Sequence, residues 1–441
     1  MPGLAVMNFR GFDDALIPVS NVNFLVGENS TGKSSILSLI EILAGPNFYF
    51  YQELSSEFCD FSAYEDAVSL RKPKSKLSIG YFRFNFSILK RGRIDALAFQ
   101  FTNTKGIATV SYIAYISNGF LIQVNFRKSL LTYKVNKAKL INHKAPDLTI
   151  KLLMQNQVTE LLGEEVAVGK FAYNSLPFPS PLITGLNILS LKSIRHEESD
   201  PIVKPRINPG LFSSPTWIAP IRAEPQVINT KNKNSYSPKG EHIPSLIRNA
   251  FGKRAAPHLA KKFSNVVPDF GKSSHLYEAI GVKEYGNELA SPFEVRIRFS
   301  DADHRISNLG YGVSQSLPIL LEVAASDNAK TFIVQQPEVH LHPRAQAAFG
   351  DFFYEMAKNR KHTLFIETHS DYLIDRFRLR LTKSNVKNPL FAQVLFFSQN
   401  DTKSNTVDSI KIKFDGNFSE NMPDKFREFF IHEELQLLSI R

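Results

Sequence analysis

The stretch Gly27-Glu28-Asn29-Ser30-Thr31-Gly32-Lys33-Ser34 decides the fold class, because it fits the pattern G-x-x-x-x-G-K-[ST] at every specified position. The apolar run 22–26 precedes it, and apolar residues at helical spacing follow it from 36 to 43. A strand, a glycine loop and a helix in this order are typical of a P-loop, whose backbone N–H groups and helix dipole face phosphates. The sequence therefore predicts a nucleotide site, and the alternative interpretation is an incidental glycine turn.

Each residue type in this loop has a chemical role. Lys33 is expected to reach the β and γ oxygens of ATP, and Ser34 is expected to bind Mg²⁺. The glycines let the backbone curl so that its N–H groups point at the phosphates. The candidate nucleotide-binding residues are Gly27, Glu28, Asn29, Ser30, Thr31, Gly32, Lys33, Ser34 and Ser35.

Composition excludes several classes of protein. A chain of 441 residues with 43% hydrophobic and 22% charged residues is neither a mini-protein nor a disordered chain. Cys59 is its single cysteine, so we expect neither an intramolecular disulfide nor a cysteine-based zinc cluster. We see no apolar run of membrane-spanning length and no secretory signal, so we expect a cytoplasmic protein without a membrane partner. The net charge of +11 favours a polyanionic partner such as nucleic acid.

The remaining sequence predicts a mixed α/β chain in three parts. Residues 1–145 contain the P-loop and, from 75 onward, short aromatic-rich segments typical of an antiparallel β lobe. Residues 146–290 are expected to form a partly helical insertion that faces a partner, with helices at 151–162, 243–251 and 255–263. Residues 291–441 alternate strands and helices as in a parallel sheet.

In this last part we expect each element from its apolar pattern. The predicted strands are 293–299, 331–334, 363–367 and, as the last core strand, 392–397; the predicted helices start at Ser314, Pro343 and Asp371.

Three further segments follow the P-loop in a definite order. They are LGYGVSQS (309–316), FIVQQPE (332–338) and FIETHS (365–370). With the P-loop, this order resembles the Walker A, signature, Walker B and switch-histidine layout of ABC-type ATPases. The resemblance implies an ABC-type ATPase head, that is, a P-loop α/β core with an antiparallel β lobe.

The amino-acid sequences of the motifs closely resemble those of one branch: AAA-type ATPases grouped with the overcoming-lysogenisation-defect (OLD) proteins. That branch includes ATPase subunits of bacterial anti-phage systems such as Septu, retron-associated Septu-like modules and PARIS. Residues 75–210 match nothing that we can place. The matching phrases are NFRGF (8–12), NFLVGENSTGKSSIL (23–37), APIRAEP (219–225), LGYGVSQSLPILLE (309–322), QQPEVHLHPRAQA (335–347), FIETHSDYL (365–373) and DGNFSENMPDKFREFF (415–430).

The resemblance implies roles for individual residues. Ser314 and Gln315 would face the γ-phosphate bound by a second copy, so that ATP joins two heads into a dimer or a higher oligomer; the alternative is an ordinary helix start capped by Ser314. His369 would contact the γ-phosphate, and Arg10 would contact the nucleotide. His340 and His342 have a spacing seen in some metal sites, although packing is the preferred interpretation.

The Walker B segment departs from the family pattern. Gln335 occupies the slot of the acid that holds Mg²⁺, and Gln336 occupies the slot of the general base. Neither amide can act as a base, and Glu338 is the candidate for a displaced carboxylate or for a structural brace of the loop. Because losing a positioned base costs about 10²- to 10⁴-fold in rate, we expect slow hydrolysis.

The basic clusters leave two functions open. They lie at 71–76, 90–93, 231–233 and 253–254, and the first two stand near aromatic residues, as in some nucleic-acid surfaces. Only about 40 residues follow strand 392–397, too few for a nuclease domain. We therefore expect an ATPase subunit that controls a separate effector nuclease in an anti-phage complex. The alternatives are an ATP-clamping DNA-repair head that binds duplex DNA and a scaffold whose nucleotide is structural.

Overall fold

The computed structural model describes residues 2–85, 93–117, 119–127, 130–139, 146–172, 215–230, 232–288, 290–326, 329–383, 389–420 and 422–429. The chain forms two compact units, each built from separate stretches of sequence. The first unit contains residues 1–19, 28–214 and 397–409, and the second contains residues 20–27, 215–396 and 410–441. The three-part division at 145 and 290 stays a prediction.

The strands of the described residues are β1 (Pro2–Phe9), β2 (Phe12–Pro18), β3 (Val22–Gly27), β4 (Leu77–Asn85), β5 (Arg93–Thr104), β6 (Ile107–Ser117), β7 (Phe120–Arg127), β8 (Leu130–Ala138), β9 (Leu162–Ala172), β10 (Thr216–Ile218), β11 (Ala279–Glu284), β12 (Phe293–Phe299), β13 (Ala302–Arg305), β14 (Thr331–Gln335), β15 (Thr363–Glu367), β16 (Ala392–Gln399) and β17 (Asn405–Ile412). The helices are α1 (Lys33–Ala44), α2 (Pro46–Tyr51), α3 (Tyr64–Ala67), α4 (Pro146–Gln155), α5 (Ile243–Phe251), α6 (Pro257–Phe263), α7 (Val266–Ser274), α8 (Tyr311–Ala325), α9 (Pro343–Arg360) and α10 (Asp371–Thr382).

The first unit is organised around an antiparallel sheet. Among the described residues, eight strands pair in the order β2-β1-β4-β5-β6-β7-β8-β9. Helix α4 packs Ile150, Leu153 and Met154 into the apolar cluster of this sheet. Gly80 on β4 permits this approach, because an added Cβ would lie 2.8 Å from Cδ1 of Ile150. The side chain of Gln100 closes the end of the helix by donating to the carbonyl oxygen of Met154 at 2.6 Å.

The second unit has a parallel sheet at its centre. Its strands lie in the order β10-β14-β15-β3-β16, and the pairs β10–β14, β14–β15 and β15–β3 are parallel. Strands β3 and β14 are buried along their whole length, as expected for a sheet covered on both faces. Helices α5 to α10 contribute to one apolar core with these strands. Strands β11, β12 and β13 form a separate antiparallel sheet.

The predicted class is therefore confirmed: the chain is α/β, with a P-loop core and a large antiparallel sheet. The strands predicted at 293–299 and 363–367 and the helices predicted from Pro343 and Asp371 have the predicted bounds. In the described part of the chain, no helix is both long enough and apolar enough to cross a membrane.

Five predicted elements were wrong in extent. The strand expected at 331–334 is β14, which continues by one residue to Gln335. The helix expected at 151–162 is α4, which begins at Pro146 because proline suits the first helical turn, and a left-handed Asn156 (φ 57°) follows its end. The helix expected at 255–263 is α6, which begins at Pro257 for the same reason. The helix expected from Ser314 begins at Tyr311. Strand 392–397 extends to Gln399 as β16, and it is not the last, since β17 follows.

Candidate functional site

The P-loop has the predicted local structure. Strand β3 ends at Gly27, and helix α1 begins at Lys33 after a left-handed Gly32 (φ 94°). Residues Glu28, Asn29 and Ser30 are exposed, whereas Thr31 and Lys33 are buried. Ser34 is exposed at the start of the helix, and Ser35 is partly exposed. This is the local geometry that presents backbone N–H groups and a helix N-terminus to phosphate oxygens.

The loop also makes hydrogen bonds within itself. The ammonium of Lys33 donates to the carbonyl oxygen of Glu28 at 2.7 Å, and the hydroxyl of Thr31 donates to the same oxygen at 2.7 Å. Lys33 is 4% exposed, so its charge is held beneath the loop. The carbonyl oxygen of Glu28 accepts a hydrogen bond from the ammonium of Lys33, and a phosphate oxygen of a bound nucleotide would accept the same kind of hydrogen bond.

Gly32 is required for two independent reasons. Its φ of 94° lies in the region that L side chains rarely adopt, and a Cβ there would lie 2.5 Å from the ring of Phe12. The side chain of Asn405 would lie 3.0 Å from the same Cβ. The second glycine of the motif is therefore fixed by packing within the first unit as well as by phosphate chemistry.

The Walker B segment lies at the carboxyl end of β14. Gln335 is the last residue of this strand and is 8% exposed. Gln336 leaves the strand in a left-handed conformation (φ 44°), and its N–H donates to the carbonyl oxygen of Glu367 at 2.8 Å. Arg222 donates through Nη2 to the carbonyl oxygen of Gln335 at 2.8 Å. The end of β14 is therefore fixed from two sides.

Glu338 braces the switch segment. Its Oε1 accepts from the backbone N–H of His369 at 2.7 Å, and its Oε2 accepts from the hydroxyl of Thr368 at 2.9 Å. Burial raises the pKa of this carboxyl, and the hydrogen bonds and the charge of Arg222 oppose the increase. Both oxygens of Glu338 thus bind the switch segment, and its role as a displaced carboxylate stays a prediction.

His369 stands on a fixed backbone, and the centre of its imidazole ring lies 6.4 Å from that of Phe429. The residue is exposed, whereas Thr368 and Ser370 on either side are buried. Ser370 caps helix α10 by accepting from the N–H of Leu373 at 3.1 Å, and it donates to Gln346 at 2.6 Å. An exposed imidazole at the carboxyl end of a parallel strand is placed where open α/β sheets bind ligands.

Arg222 is a functional candidate to which the sequence analysis assigned no role. It is 3% exposed, and burial lowers the pKa of its guanidinium to about 10. Its Nε and Nη1 atoms have no hydrogen-bond partner among the described residues. Its charge interacts with that of Glu338. The phrase APIRAEP contained this residue, but nothing in the pattern indicated that the guanidinium is buried beside Gln335.

The signature segment differs from the prediction in one respect. Because α8 begins at Tyr311, Ser314 lies inside its first turn and does not cap the helix, and its hydroxyl donates to the carbonyl oxygen of Tyr311 at 3.0 Å. Ser314 is 6% and Gln315 is 5% exposed. Gly312 lies in the same turn, and a Cβ added there would be 3.2 Å from the side chain of Leu341. Pro318 stands inside the helix.

Ser314 also lines a cavity of about 400 Å³ in the second unit. The cavity carries charged groups from Glu224, Lys233 and Glu241 as well as apolar groups such as Leu317. Lys233 and Glu241 form an ion pair of 2.6 Å with each other.

The remaining candidates have identifiable structural roles. Arg10 is exposed, and its guanidinium lies 4.7 Å from the ring centre of Phe61. His340 packs against Tyr311 with ring centres 5.6 Å apart, and His342 caps α9 by accepting from the N–H of Arg344 at 3.4 Å. Among the described residues, no group of three or more His, Cys, Asp or Glu side chains is placed to hold a metal ion.

The basic clusters are partly occupied by interactions within the chain. Arg71 donates to the carbonyl oxygens of Gly11 and Thr402, and Lys72 pairs with Asp13 at 3.0 Å. Residues 90–92 and 231 lie outside the described part of the chain.

Comparison with known proteins gives a family match over most of the chain. Residues 3–175 and 194–374 match the family described as AAA ATPase domain. The OLD nuclease of Thermus scotoductus is 22% identical over 421 residues, which cover 93% of this chain and 66% of that protein. The chain thus spans slightly less than two thirds of the length of this relative.

Two solved structures with low similarity cover nearly the whole chain. The SMC head domain from Thermotoga maritima is 12% identical with a TM-score of 0.37, and the alignment covers 92% of this chain and 97% of that one. The Smc head domain with an extended coiled coil bound to the C-terminal domain of ScpA, derived from Pyrococcus furiosus, is 14% identical with a TM-score of 0.41, covering 99% and 100%.

Proposed function

The chain belongs to the AAA ATPase domain family, and from this premise we propose that it binds ATP with Mg²⁺ and uses it to join two ABC-type heads. The observation that carries the proposal is the P-loop, with left-handed Gly32, exposed residues 28–30 and a helix that begins at Lys33. Lys33 would bind the β and γ oxygens, and Ser34 would bind the metal. Mg²⁺ would neutralise the charge that develops on the phosphates.

We propose that hydrolysis is slow. At the Walker B position, the amides of Gln335 and Gln336 replace an acid and a base, and neither can accept a proton from water. Glu338 carries a carboxylate nearby, but its oxygens are used by Thr368 and His369. A long-lived ATP-bound state fits a switch better than a motor.

The cellular role follows from the resemblance rather than from the site. We propose that paired heads hold and release a separate effector, a nuclease, in a bacterial anti-phage complex in the cytoplasm. Similarity to the OLD nuclease of Thermus scotoductus, which is 22% identical to this chain, supports a link to nuclease function. The second candidate is a DNA-repair head that clamps duplex DNA, which the net charge of +11 favours.

Native mass spectrometry with and without Mg²⁺ and ATP tests this proposal, since it reports retained nucleotide, subunit number and any bound partner together. We expect ATP-dependent pairing that Lys33→Ala abolishes, with a loss of ATP affinity of about 10- to 100-fold from the lost charged hydrogen bonds. Lys137→Ala is the control, since Lys137 is exposed and pairs with Glu164 at 2.7 Å.

Two outcomes would decide against this proposal. If Lys33→Ala assembled as the wild type does, the remaining interpretation would be a scaffold in which the nucleotide has only a structural role. DNA binding that weakens steeply with salt, in the absence of a protein partner, would favour the DNA-repair head.

A further inference from the structure

The cavity that Ser314 lines has an apolar side, formed by regular elements of the second unit. Ile247 comes from helix α5, Val295 from strand β12 and Leu317 from helix α8, and each is at most 2% exposed. Because these side chains pack in the apolar core of the unit, this side of the cavity has a fixed shape. The apolar body of a ligand could be removed from water there.

The rest of the cavity wall is polar and comes largely from segment 223–241. Asn229 exchanges two backbone hydrogen bonds with Phe293, of 2.8 and 3.1 Å. The N–H of Lys233 donates to the hydroxyl of Ser245 at 2.9 Å. The polar wall is therefore attached at two separate points, to strand β12 and to helix α5.

The charges on the cavity wall do not cancel. Lys233 and Glu241 neutralise each other through their ion pair of 2.6 Å. Glu224 also lines the cavity and is exposed, and its carboxylate makes no hydrogen bond or ion pair with any residue that the structure describes. One negative charge is thus available to a ligand.

The volume of the cavity limits the size of the ligand. A molecule of liquid water occupies about 30 Å³, so the cavity of about 400 Å³ holds on the order of a dozen non-hydrogen atoms. This is the lower part of the size range of small-molecule sites in proteins.

We infer that this cavity binds a small organic amine, whose apolar body packs against the apolar side and whose ammonium group pairs with Glu224. An anion is disfavoured, because the ammonium of Lys233 is already paired and the net charge of the wall is negative. The inference goes beyond the proposed function, since the cavity is formed by the second unit and needs no nucleotide. Because Ser314 lines the cavity, the bound amine lies against the helix that carries the signature segment.

Isothermal titration calorimetry on the full chain tests the inference with phenethylamine, phenylethanol and phenylacetate. The first is a cation, the second is neutral and the third is an anion, so the charge varies while the apolar body stays the same. We expect phenethylamine to bind most tightly and phenylacetate most weakly. Glu224→Gln should weaken the binding of phenethylamine by about 3- to 10-fold and leave that of phenylethanol unchanged. Glu420→Gln is the control for the change in net charge, since Glu420 is 91% exposed.

A second variant reduces the space in the cavity. Ile247→Phe adds a ring to the apolar side, so we expect it to weaken the binding of all three compounds, whereas Glu224→Gln affects the cation alone. Thermal unfolding in the absence of any compound checks that each variant retains the fold, because a larger side chain in a packed core can destabilise it.

The outcomes distinguish this inference from the proposed function. If phenethylamine did not bind, or bound equally well to the folded Glu224→Gln and Ile247→Phe variants, the cavity would not be an amine site. Tighter binding of phenylacetate than of phenethylamine would overturn the role of Glu224 and assign recognition to Lys233. A chain that binds phenethylamine in this way but binds no ATP would overturn the proposed function alone.

Discussion

The carboxylate of Glu338 accepts a hydrogen bond of 2.7 Å from the backbone N–H of His369. This contact links the Walker B loop to the switch segment and fixes the backbone from which the exposed imidazole projects. Glu338 therefore holds the backbone of His369 in place.

We first predict that Glu338→Ala destabilises the fold by about 1–3 kcal/mol, because the N–H of His369 and the hydroxyl of Thr368 lose their acceptor. Glu338→Gln retains one acceptor oxygen and is expected to cost less. Urea denaturation monitored by tryptophan fluorescence measures the difference, with Glu420→Ala as the control for removal of an exposed carboxylate. Equal stability of Glu338→Ala and the wild type would contradict the brace.

Second, we predict that Arg222 and Glu338 are energetically coupled, since the negative charge of Glu338 acts on the buried guanidinium of Arg222. Arg222→Met and Glu338→Gln should each destabilise the fold, and the double variant should cost less than their sum by about 0.5–3 kcal/mol. A double-mutant cycle in urea gives this coupling energy. Simple additivity would show that the two charges are independent.

Third, we predict that Gly32→Ala is more destabilising than Gly106→Ala. Both glycines have similar backbone conformations, with φ of 94° and 88°, but a Cβ at 32 meets Phe12 at 2.5 Å whereas one at 106 has no atom within 4 Å. Backbone strain costs about 1–2 kcal/mol at either position, and overpacking adds about 1–3 kcal/mol at 32.

The free energies of unfolding of these two variants check the third prediction. Gly106→Ala serves as the matched control for the left-handed backbone, so the difference between the two isolates the contact with Phe12. If the two variants lost equal stability, the contact with Phe12 would make no contribution to the free energy of unfolding.

Fourth, we predict that His362 makes a contribution to the stability of the fold that is lost in acid. This residue is fully buried, and burial lowers its pKa from 6.5 to about 4. Because its pKa is lower in the folded than in the unfolded chain, the stabilising contribution is complete above pH 6.5 and is lost as the pH falls towards 4. The loss is at most about 1.4 kcal/mol per pH unit.

The variant His362→Asn isolates this contribution, since its side-chain oxygen can still accept from the N–H of Lys330, as Nδ1 of His362 does at 3.2 Å. Thermal unfolding between pH 4 and 7 should therefore show a shallower pH dependence in the variant than in the wild type. Parallel pH profiles would exclude His362 as the responsible group.

Fifth, we predict that Ser314→Ala weakens ATP-dependent pairing by about 10- to 100-fold while leaving the fold intact, if its hydroxyl turns to the γ-phosphate of a second copy. Ser316→Ala is the matched control, because Ser316 also donates within the helix, to Val313 at 2.9 Å. Sedimentation velocity with Mg²⁺ and ATP measures pairing. Equal association of both variants with the wild type would remove the signature role from Ser314.

The sequence predicts well those features that depend on local patterns. The P-loop, strand β15 and helix α9 follow from motif spacing and apolar periodicity, and each lies where we expected it. The strands β9 and β17 were missed because polar residues interrupt their apolar patterns, as in LGEEVAVGKFA and NTVDSIKI. Such strands are recognised from their pairing with other strands, and a short stretch of sequence gives no information on that pairing.

The candidate site shows the same limit. The replacement of the Walker B acid by Gln335 can be identified from sequence alone, but its contact with Glu367 depends on the register between β14 and β15. The burial of Arg222 depends in the same way on β10 lying beside β14. Arg222 and Glu367 both lie in segments that resemble the family motifs, but only their positions beside β14 bring them into contact with Gln335.

Pro318 has a consequence for the helix that carries Ser314. A proline has no N–H, so it cannot donate to the carbonyl oxygen four residues earlier, which belongs to Ser314 itself. The first turn of α8 is therefore attached to the rest of the helix by one bond fewer than an uninterrupted helix would have. The carbonyl oxygen of Ser314 therefore lacks the helical donor that another residue at 318 would supply, directly behind the first turn of α8, in which Val313 and Ser314 are buried.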